Sequence, residues 1–147
     1  MKIDLLRNMK IFSDKIFVST HGNNDIKNIT EDVEKVIKKS GVKEGILTVF
    51  VVGSTAGITT IEYEPGLIKD LPESLERIAP VNKRYYHDNT WNDGNGYAHI
   101  RSSIIGTSLT IPIGNGELES GTWQQIVLID FDNRARQRNI ICKIIGE

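Results

Sequence analysis

The stretch Gly45-Ile46-Leu47-Thr48-Val49-Phe50-Val51-Val52 decides the fold, because it is almost entirely apolar and rich in β-branched residues. A short apolar run of this kind predicts a strand that is buried on both of its faces. Glycines and small polar residues interrupt the pattern over residues 53–57. A second β-rich run then covers residues 58–63. We therefore expect two strands separated by a short break.

Outward from this strand, the sequence predicts one further strand and two helices. Residues 11–20 are apolar and β-branched, which favours an opening strand. A helix follows, with Thr30 as its N-cap, an apolar face at helical spacing, and Gly41 at its C-terminal end. Leucines and isoleucines between residues 67 and 78 recur every three or four positions, which indicates a second helix interrupted near Pro72.

The second half of the chain is predicted to contain a long polar loop and then further strands. Residues 85–96 hold so many Asn, Asp and Gly residues that we expect an irregular, functional loop. A short helix is expected over residues 98–105. The strands expected after it cover residues 107–113, 123–131 and 139–145.

Together these elements predict an α+β fold in a single domain spanning residues 1–147. The early helices and the later run of consecutive strands favour a mainly antiparallel, β-sandwich-like core. We expect roughly six or seven strands and about two or three helices in it.

Composition excludes several classes of partner. The chain has 147 residues and a formal net charge of −1, so we expect no nucleic acid partner. Its apolar runs are shorter than the roughly 20 residues that cross a bilayer, and no secretory signal is evident, so we expect no membrane partner. The alternating Arg134, Arg136 and Arg138 are predicted to form a solvated strand edge. The single cysteine, Cys142, predicts a buried, inert thiol in a cytoplasmic protein.

Two histidines flank the polar loop and are the main candidates for chemistry. His87 and His99 could act as acid and base near neutral pH, with Glu62 or Asp93 as carboxylate partner. They could also ligate a metal together with Asp93, although their spacing matches no standard zinc signature. The sequence does not identify a cofactor, but these residue types would suit Mg²⁺ or another divalent metal. The alternative is that both histidines only bond to the loop backbone.

A second group of residues suits an anion. Arg101 and Ser102 lie near the start of the short predicted helix, where amide groups favour phosphate. Ser54 and Thr55 lie between glycines after a buried strand, which also suits phosphate, although the lysine of a P-loop is absent. The alternative for Arg101 is a simple ion pair with a carboxylate at the surface.

Five motifs, in order along the chain, resemble the YjbQ-like family. They are Trp91-Asn92-Asp93-Gly94-Asn95-Gly96, Ala98-His99-Ile100-Arg101-Ser102-Ser103, Gly106-Thr107-Ser108-Leu109-Thr110-Ile111-Pro112, Gly121-Thr122-Trp123-Gln124-Gln125 and Ile145-Gly146-Glu147. Segments 40–45 and 55–59 also fit, so the resemblance extends over nearly the whole chain.

The resemblance implies a compact α+β protein that forms a homotrimer with sites near its subunit boundaries. A secondary thiamine-phosphate synthase activity is attributed to this family. It implies a transferase that joins a pyrimidine diphosphate to a thiazole phosphate and releases pyrophosphate. The family pocket resembles a metal or anion site built from histidines and carboxylates.

The chain departs from the family pattern at three places. Family members commonly carry His-Thr where this chain has Gly53-Ser54, a histidine where it has Tyr97, and an asparagine where it has Ile61. Two of the four histidines that the resemblance implies are therefore missing. This favours an anion pocket over a complete metal centre.

Three functions follow from these residues. The first is a transferase of the thiamine-phosphate synthase type, in which Arg101 and amides near Gly53 hold phosphate and His87 or His99 moves a proton. The second is a non-catalytic trimer that binds a small phosphorylated metabolite. The third is a metal-dependent hydrolase that uses both histidines and a carboxylate.

Overall fold

The protein folds into two antiparallel β-sheets flanked by helices. A computed structural model describes residues 8–147. The strands in this part of the chain are β1 (Lys10–Thr20), β2 (Asp25–Asn28), β3 (Gly45–Val51), β4 (Ala56–Glu62), β5 (Ser108–Gly114), β6 (Glu117–Leu118), β7 (Gln124–Asp130) and β8 (Arg136–Gly146). The helices are α1 (Thr30–Ser40), α2 (Pro65–Ile78), α3 (Tyr86–Trp91) and α4 (Gly96–Ile105).

The larger sheet has the strand order β1-β8-β3-β5-β6 and the smaller one β2-β7-β4. All strand pairs are antiparallel. The inner faces of the two sheets and the apolar face of α1 enclose the main core. The predicted α+β fold with an antiparallel, sandwich-like core is confirmed. Residues 8–147 contain four helices, which is more than the two or three expected.

The strand buried on both faces is β7, and the prediction that assigned this role to β3 was wrong. On β3, Leu47 is fully buried whereas its neighbour Ile46 is 48% exposed, because no element of residues 8–147 covers the outer face of the larger sheet. On β7, Leu128 packs in the main core. Val127 and Ile129, on its opposite face, pack in a second core under α2 and α4. The smaller sheet is thus the middle layer of the molecule.

Helix α1 begins one residue earlier than its sequence predicts. Thr30 was expected to be the N-cap, but Ile29 occupies that position. The Thr30 hydroxyl donates to Asn28 Oδ1 at 2.7 Å and accepts from the Ile126 amide at 2.9 Å. This threonine therefore joins the helix to β7 instead of capping it. Gly41 ends the helix with a φ of 67°, as predicted.

Helix α2 is continuous through Pro72, so the predicted interruption was wrong. Proline removes one backbone donor from the helix, and burial of the apolar face around Leu75 compensates for that loss. Pro65 is suited to the first turn, where its missing N–H has no helical partner. The Glu64 carboxylate accepts hydrogen bonds from two of the first-turn amides.

The segment predicted to be an irregular loop contains α3 and the start of α4. Asp88 stabilises α3, because its Oδ2 atom accepts a hydrogen bond from the Tyr85 amide at 3.2 Å. Asn92 ends this helix in the left-handed conformation, and its amide donates to the Asp88 carbonyl at 2.8 Å. Short-range capping therefore forms a helix from residues of poor helix propensity.

Two further expectations concern the interior and the surface. Cys142 is fully buried, and its burial raises the pKa of the thiol to about 11, which confirms the predicted inert thiol. Among residues 8–147 we find no helix with the length and apolar character needed to cross a membrane.

Candidate functional site

Helices α3 and α4 bring His87 and His99 into contact. Their ring centroids lie 4.1 Å apart and the ring planes are inclined by 43°. The tight connection between the helices uses positive φ angles at Asn92 (53°) and Gly94 (67°). At Gly96 an added Cβ would lie 2.5 Å from the Cβ of Tyr85. A glycine is therefore required for the two helices to approach this closely.

Asp93 lies beside the histidine pair and influences its charge. His87 Nε2 is 3.6 Å from Asp93 Oδ1, which is longer than a hydrogen bond. Burial lowers the pKa of His99, nearby His87 lowers it further, and the carboxylates of Asp93, Asp132 and Asp88 act in the opposite direction. The pKa of His99 stays below its ordinary value. Its neutral, proton-accepting form therefore prevails near pH 7.

Two buried polar atoms of this region make no hydrogen bond to any part of residues 8–147. They are His87 Nε2 and Asn95 Oδ1. Asn95 is only 5% exposed, and its amide nitrogen donates to Asp132 Oδ1 at 3.2 Å. Leaving such an atom unpaired costs roughly 1–3 kcal/mol. Unpaired buried atoms beside two imidazoles are typical of a place where a ligand completes the hydrogen bonding.

The structure places Arg101 in the interior and not at the open anion site that we expected. Its side chain is fully buried. Nε and Nη2 donate to the Ala79 carbonyl at 3.0 and 2.8 Å, and Nη1 donates to Asn24 Oδ1 at 2.8 Å. Nη2 also pairs with Glu76 Oε2 at 2.5 Å. Arg101 is drawn into the interior by the C-terminal end of α2. The Ala79 carbonyl there has no partner within the helix and needs a hydrogen-bond donor. All three nitrogens are thus engaged within the chain.

Ser102 and Thr55 are likewise engaged, whereas Ser54 is open. The Ser102 hydroxyl donates to the Ala56 carbonyl at 2.6 Å and ties α4 to β4. The Thr55 hydroxyl donates to Asp132 Oδ2 at 3.1 Å. Both residues are buried, and Ser54 is exposed. Of the four side chains predicted to bind an anion, Ser54 alone is free to meet a ligand from solvent.

Glu62 lies away from the histidines. It is exposed at the last position of β4, where it pairs with Gln124 on β7. Thr55 and Ala56, which contact the α4 region, are at the other end of that strand. Six residues of extended chain separate Ala56 from Glu62, a span of about 20 Å. The structure therefore joins His87, His99 and Asp93 but does not bring Glu62 to them.

Sequence reasoning missed a buried ion network next to this region. Asp130 and Asp132 are fully buried. Arg138 donates to Asp130 through Nε (2.6 Å) and Nη2 (2.7 Å), and Arg136 donates to Asp132 through Nε (2.7 Å) and Nη2 (2.6 Å). The prediction of a solvated strand edge was wrong for Arg138, because β8 is flanked by β1 and β3. The sequence did contain a signal for this network. Asp130 and Asp132 are two positions apart, as are Arg136 and Arg138, and alternate residues of a strand lie on the same face.

Asp132 connects this network to the helix that carries His99. Burial alone would raise the pKa of Asp132, but hydrogen bonds from Asn95 and Arg136 outweigh it and hold that pKa below its ordinary value. The carboxylate is therefore charged near neutral pH. It fixes Asn95, the N-cap of α4, whose carbonyl accepts from the His99 amide.

The donors of residues 8–147 do not make up a divalent-metal centre within one chain. Within residues 8–147 no three His, Cys, Asp or Glu side chains are arranged to hold a metal ion. The predicted metal ligands His87, His99 and Asp93 do lie close together. Their imidazole rings contact each other, however, and the three side chains do not point to one common position for an ion. The third function considered, a metal-dependent hydrolase, gains no ligand set from this arrangement.

The chain is similar to several known proteins along most of its length. A UPF0047 protein of Methanocaldococcus jannaschii is 37% identical over 134 residues, which cover 90% of this chain and 94% of the relative. A UPF0047 protein of Archaeoglobus fulgidus is 33% identical over 121 residues, covering 82% and 91%. The crystal structure of a YbjQ-like protein of unknown function from Sulfolobus solfataricus superposes with a TM-score of 0.90 at 35% identity, covering 95% of this chain and all of that one.

These likenesses place the chain in a class of proteins that share its α+β fold. A sequence profile described as "UPF0047 protein YjbQ-like" matches residues 14–147. The chain belongs to this family, as the motifs in its sequence predicted.

Proposed function

We propose that the His87–His99 pair is the centre of a site for a small phosphorylated molecule, and that the site works as a transferase of the thiamine-phosphate synthase type. The observation that carries this proposal is the contact of two imidazoles, 4.1 Å apart, with a buried Nε2 atom that lacks a partner. A ligand that offers both an acceptor oxygen and a titratable proton would satisfy that nitrogen and exchange a proton with His99.

In the proposed reaction the thiazole nitrogen forms a bond to the methylene carbon of the pyrimidine diphosphate. The bond from that carbon to the diphosphate oxygen breaks, and its electron pair leaves with pyrophosphate. His99, neutral near pH 7, can accept a proton from the phosphate of the bound substrate and return it to the leaving group. The Asp93 carboxylate favours the charged form of the His99 imidazole by raising its pKa, which works against the lowering by burial and by His87. Any Mg²⁺ would arrive with the diphosphate as part of the substrate.

The test is product formation from the two thiamine precursors with Mg²⁺. We expect the wild type to make thiamine phosphate. The rate of the variant His99→Gln should fall at least about tenfold, because a general acid–base group typically contributes more than that to the rate. The variant His21→Gln is the matched control, because His21 is an exposed histidine at a turn. Equal yields from wild type and His99→Gln, or no product from either, would reject the transferase.

A second candidate is a non-catalytic protein that binds a phosphorylated metabolite. It is favoured by the engagement of Arg101, Ser102 and Thr55 within the fold, which leaves few side chains to activate a substrate. Calorimetry with a panel of phosphorylated metabolites separates the two candidates. Binding without turnover supports the second candidate, and no binding to any member of the panel contradicts both.

We propose a homotrimer, and we propose that copies meet on the outer face of the larger sheet. One row across its strands consists of Ile11, Ile145, Ile46 and Pro112, paired in register. The three isoleucines are exposed by 72%, 44% and 48% in the single chain. An apolar row of this kind on a sheet face suits a covering partner.

Light scattering of the variant Ile46→Glu tests this interface. We expect the mass to fall from that of three chains to that of one, because a buried carboxylate would oppose association. Ile78→Glu is the control, since Ile78 is an exposed isoleucine on α2. A wild type that already runs as a monomer would contradict the trimer. We also propose a cytoplasmic location, which the single buried Cys142 supports.

A further inference from the structure

The loop between β3 and β4 lies over a nitrogen of Arg138 that the ion network does not use. Nε and Nη2 of Arg138 are bound to Asp130, and Nη2 also donates to Thr55 Oγ1 at 2.8 Å. Nη1 makes no hydrogen bond with residues 8–147. A Cβ added to Gly53 would lie 3.0 Å from this Nη1 atom. Glycine at this position, with a φ of 136°, therefore leaves no side chain between the loop backbone and Nη1.

The same loop presents further donors that have no partner. The amides of Gly53 and Ser54 donate no hydrogen bond to the backbone of residues 8–147, and the Ser54 hydroxyl is exposed. The nearby carboxylates offer nothing to a ligand, since Asp130 and Asp132 already accept from arginines and from Thr20 and Thr55. The loop and Arg138 thus offer two amides, a hydroxyl and a guanidinium N–H. The amides and the guanidinium can only donate, and the hydroxyl can donate as well as accept.

We propose that Gly53, Ser54 and Nη1 of Arg138 form an anion subsite that holds the phosphate or diphosphate group of the ligand. Consecutive backbone amides near a glycine of positive φ make a concave nest for oxygen atoms, and a guanidinium adds a charge-assisted bond. A surface in which donors predominate favours a ligand group that is rich in acceptor oxygens. Arg138, and not Arg101, is then the arginine that determines specificity for the phosphorylated group.

Arg138 is held in position before any ligand arrives. Its contacts with Asp130 and Thr55 fix the guanidinium plane, so little side-chain freedom is lost on binding. Because Asp130 balances the charge of Arg138, recognition depends on hydrogen-bond geometry more than on net attraction. We therefore expect a preference for a tetrahedral oxyanion over a small monovalent anion such as chloride.

The subsite is joined to the histidine pair by a continuous path of hydrogen bonds. Thr55 Oγ1 accepts from Arg138 and donates to Asp132, whose other oxygen accepts from Asn95 at the start of α4. His99 lies one turn further along that helix. This inference rests on the proposed function for the identity of the ligand, with its phosphate at the loop and its reactive part at the histidines.

The experiment is an amide and imidazole NMR titration of the full chain with inorganic phosphate, followed by pyrophosphate. We expect the Gly53 and Ser54 amide signals to shift with a common affinity, and pyrophosphate to bind more tightly than phosphate. Ser54→Asp places a carboxylate in the subsite and should weaken pyrophosphate at least about tenfold, which corresponds to ~1.4 kcal/mol. Ser120→Asp is the control, because Ser120 is also an exposed loop serine and the change in charge is the same.

The outcomes separate this inference from the proposed function. Shifts confined to the histidines would overturn the subsite and leave the proposed site standing. Loop shifts that persist in His99→Gln support the subsite, and the product assay then decides the transferase independently. If Ser54→Asp and Ser120→Asp weaken pyrophosphate binding equally, the effect comes from the net charge of the protein and not from the loop. That result would overturn the subsite. An absence of any shift with either anion would also overturn it.

Discussion

The Asp130–Arg138 ion network and the His87–His99 pair are neighbouring polar clusters with opposite degrees of hydrogen-bond satisfaction. Both oxygens of Asp130 accept hydrogen bonds, from Arg138, the Thr20 hydroxyl and the Asp132 amide. In the histidine cluster, His87 Nε2 is buried and has no hydrogen-bond partner among residues 8–147. The saturated Asp130 carboxylate stabilises the fold and can accept nothing from a ligand, whereas the unsatisfied imidazole nitrogen costs stability and is open to a ligand. The difference locates function more sharply than residue type does.

The largest effect should follow from breaking the saturated cluster. Asp130→Asn keeps the shape of the side chain but removes the hydrogen-bonded counter-ion of the buried Arg138 and leaves it only Asp132, 3.9 Å from Nη2. We expect the free energy of unfolding to fall by about 3–5 kcal/mol in urea titrations. Asp32→Asn is the control, because Asp32 forms an exposed pair with Lys35, and it should cost less than about 1 kcal/mol. Similar losses for both variants would remove the distinction between the clusters.

Replacing the buried Arg101 should have the second-largest effect on stability, because only some of its partners are buried from solvent. In Arg101→Met the Ala79 carbonyl loses its donors, while Glu76 is half exposed and can return to water. We expect a loss of roughly 1–3 kcal/mol in the same titration. Glu76→Gln keeps the guanidinium and its bonds to Ala79, so it should cost less. A larger loss for Glu76→Gln than for Arg101→Met would show that the ion pair dominates.

The histidine pair should respond in charge rather than in stability. His87→Ala should change the free energy of unfolding by less than about 1 kcal/mol, because the site is half exposed and unsaturated. It should also raise the pKa of His99, since His87 is one of the two causes that lower it. NMR titration of the His99 ring measures that shift. An unchanged or lower pKa would mean that burial alone sets the value.

The smallest effect should be in the dependence of stability on pH. The pKa of His99 is lower in the folded chain than in the unfolded one. The unfolded state therefore takes up the proton first, and stability falls as pH decreases below the ordinary pKa of histidine, about 6.5. In His99→Gln this part of the decline should be absent. Denaturant titrations between about pH 7.5 and 5 measure it, with His21→Gln as control, and identical slopes would contradict the assignment.

Most of the fold was accessible from the sequence because local patterns specify it. Alternation and turn residues indicated β1 and the later strands, and Gly41 marked the end of α1. The sequence did not reveal which strand is buried on both of its faces. An apolar strand such as β3 can face a partner or a second sheet, and its composition is the same in either case. The decisive quantity is what covers each face, and that belongs to the tertiary structure.

The site was partly accessible for the same reason. The sequence pointed to His87, Asp93 and His99 because these titratable residues lie in or beside a long polar segment. In the structure, α3 and α4 bring them together. Arg101 and Arg138 are both buried, which neither of their expected roles predicted. A sequence shows that an arginine is present but not whether an orphan carbonyl or a buried carboxylate will engage it. Burial decides this, and burial depends on distant parts of the chain.

The position of β8 has a consequence for how the protein forms. This strand pairs with β1 on one side and β3 on the other, and it joins Lys10 to Gly146. Neither neighbour has its main partner until β8 has been synthesised. Contacts between such distant residues close slowly, because a long loop must be ordered before any pairing energy is gained. During translation, β1 and one edge of β3 therefore stay unpaired until β8 emerges, and unpaired strands of this kind favour aggregation.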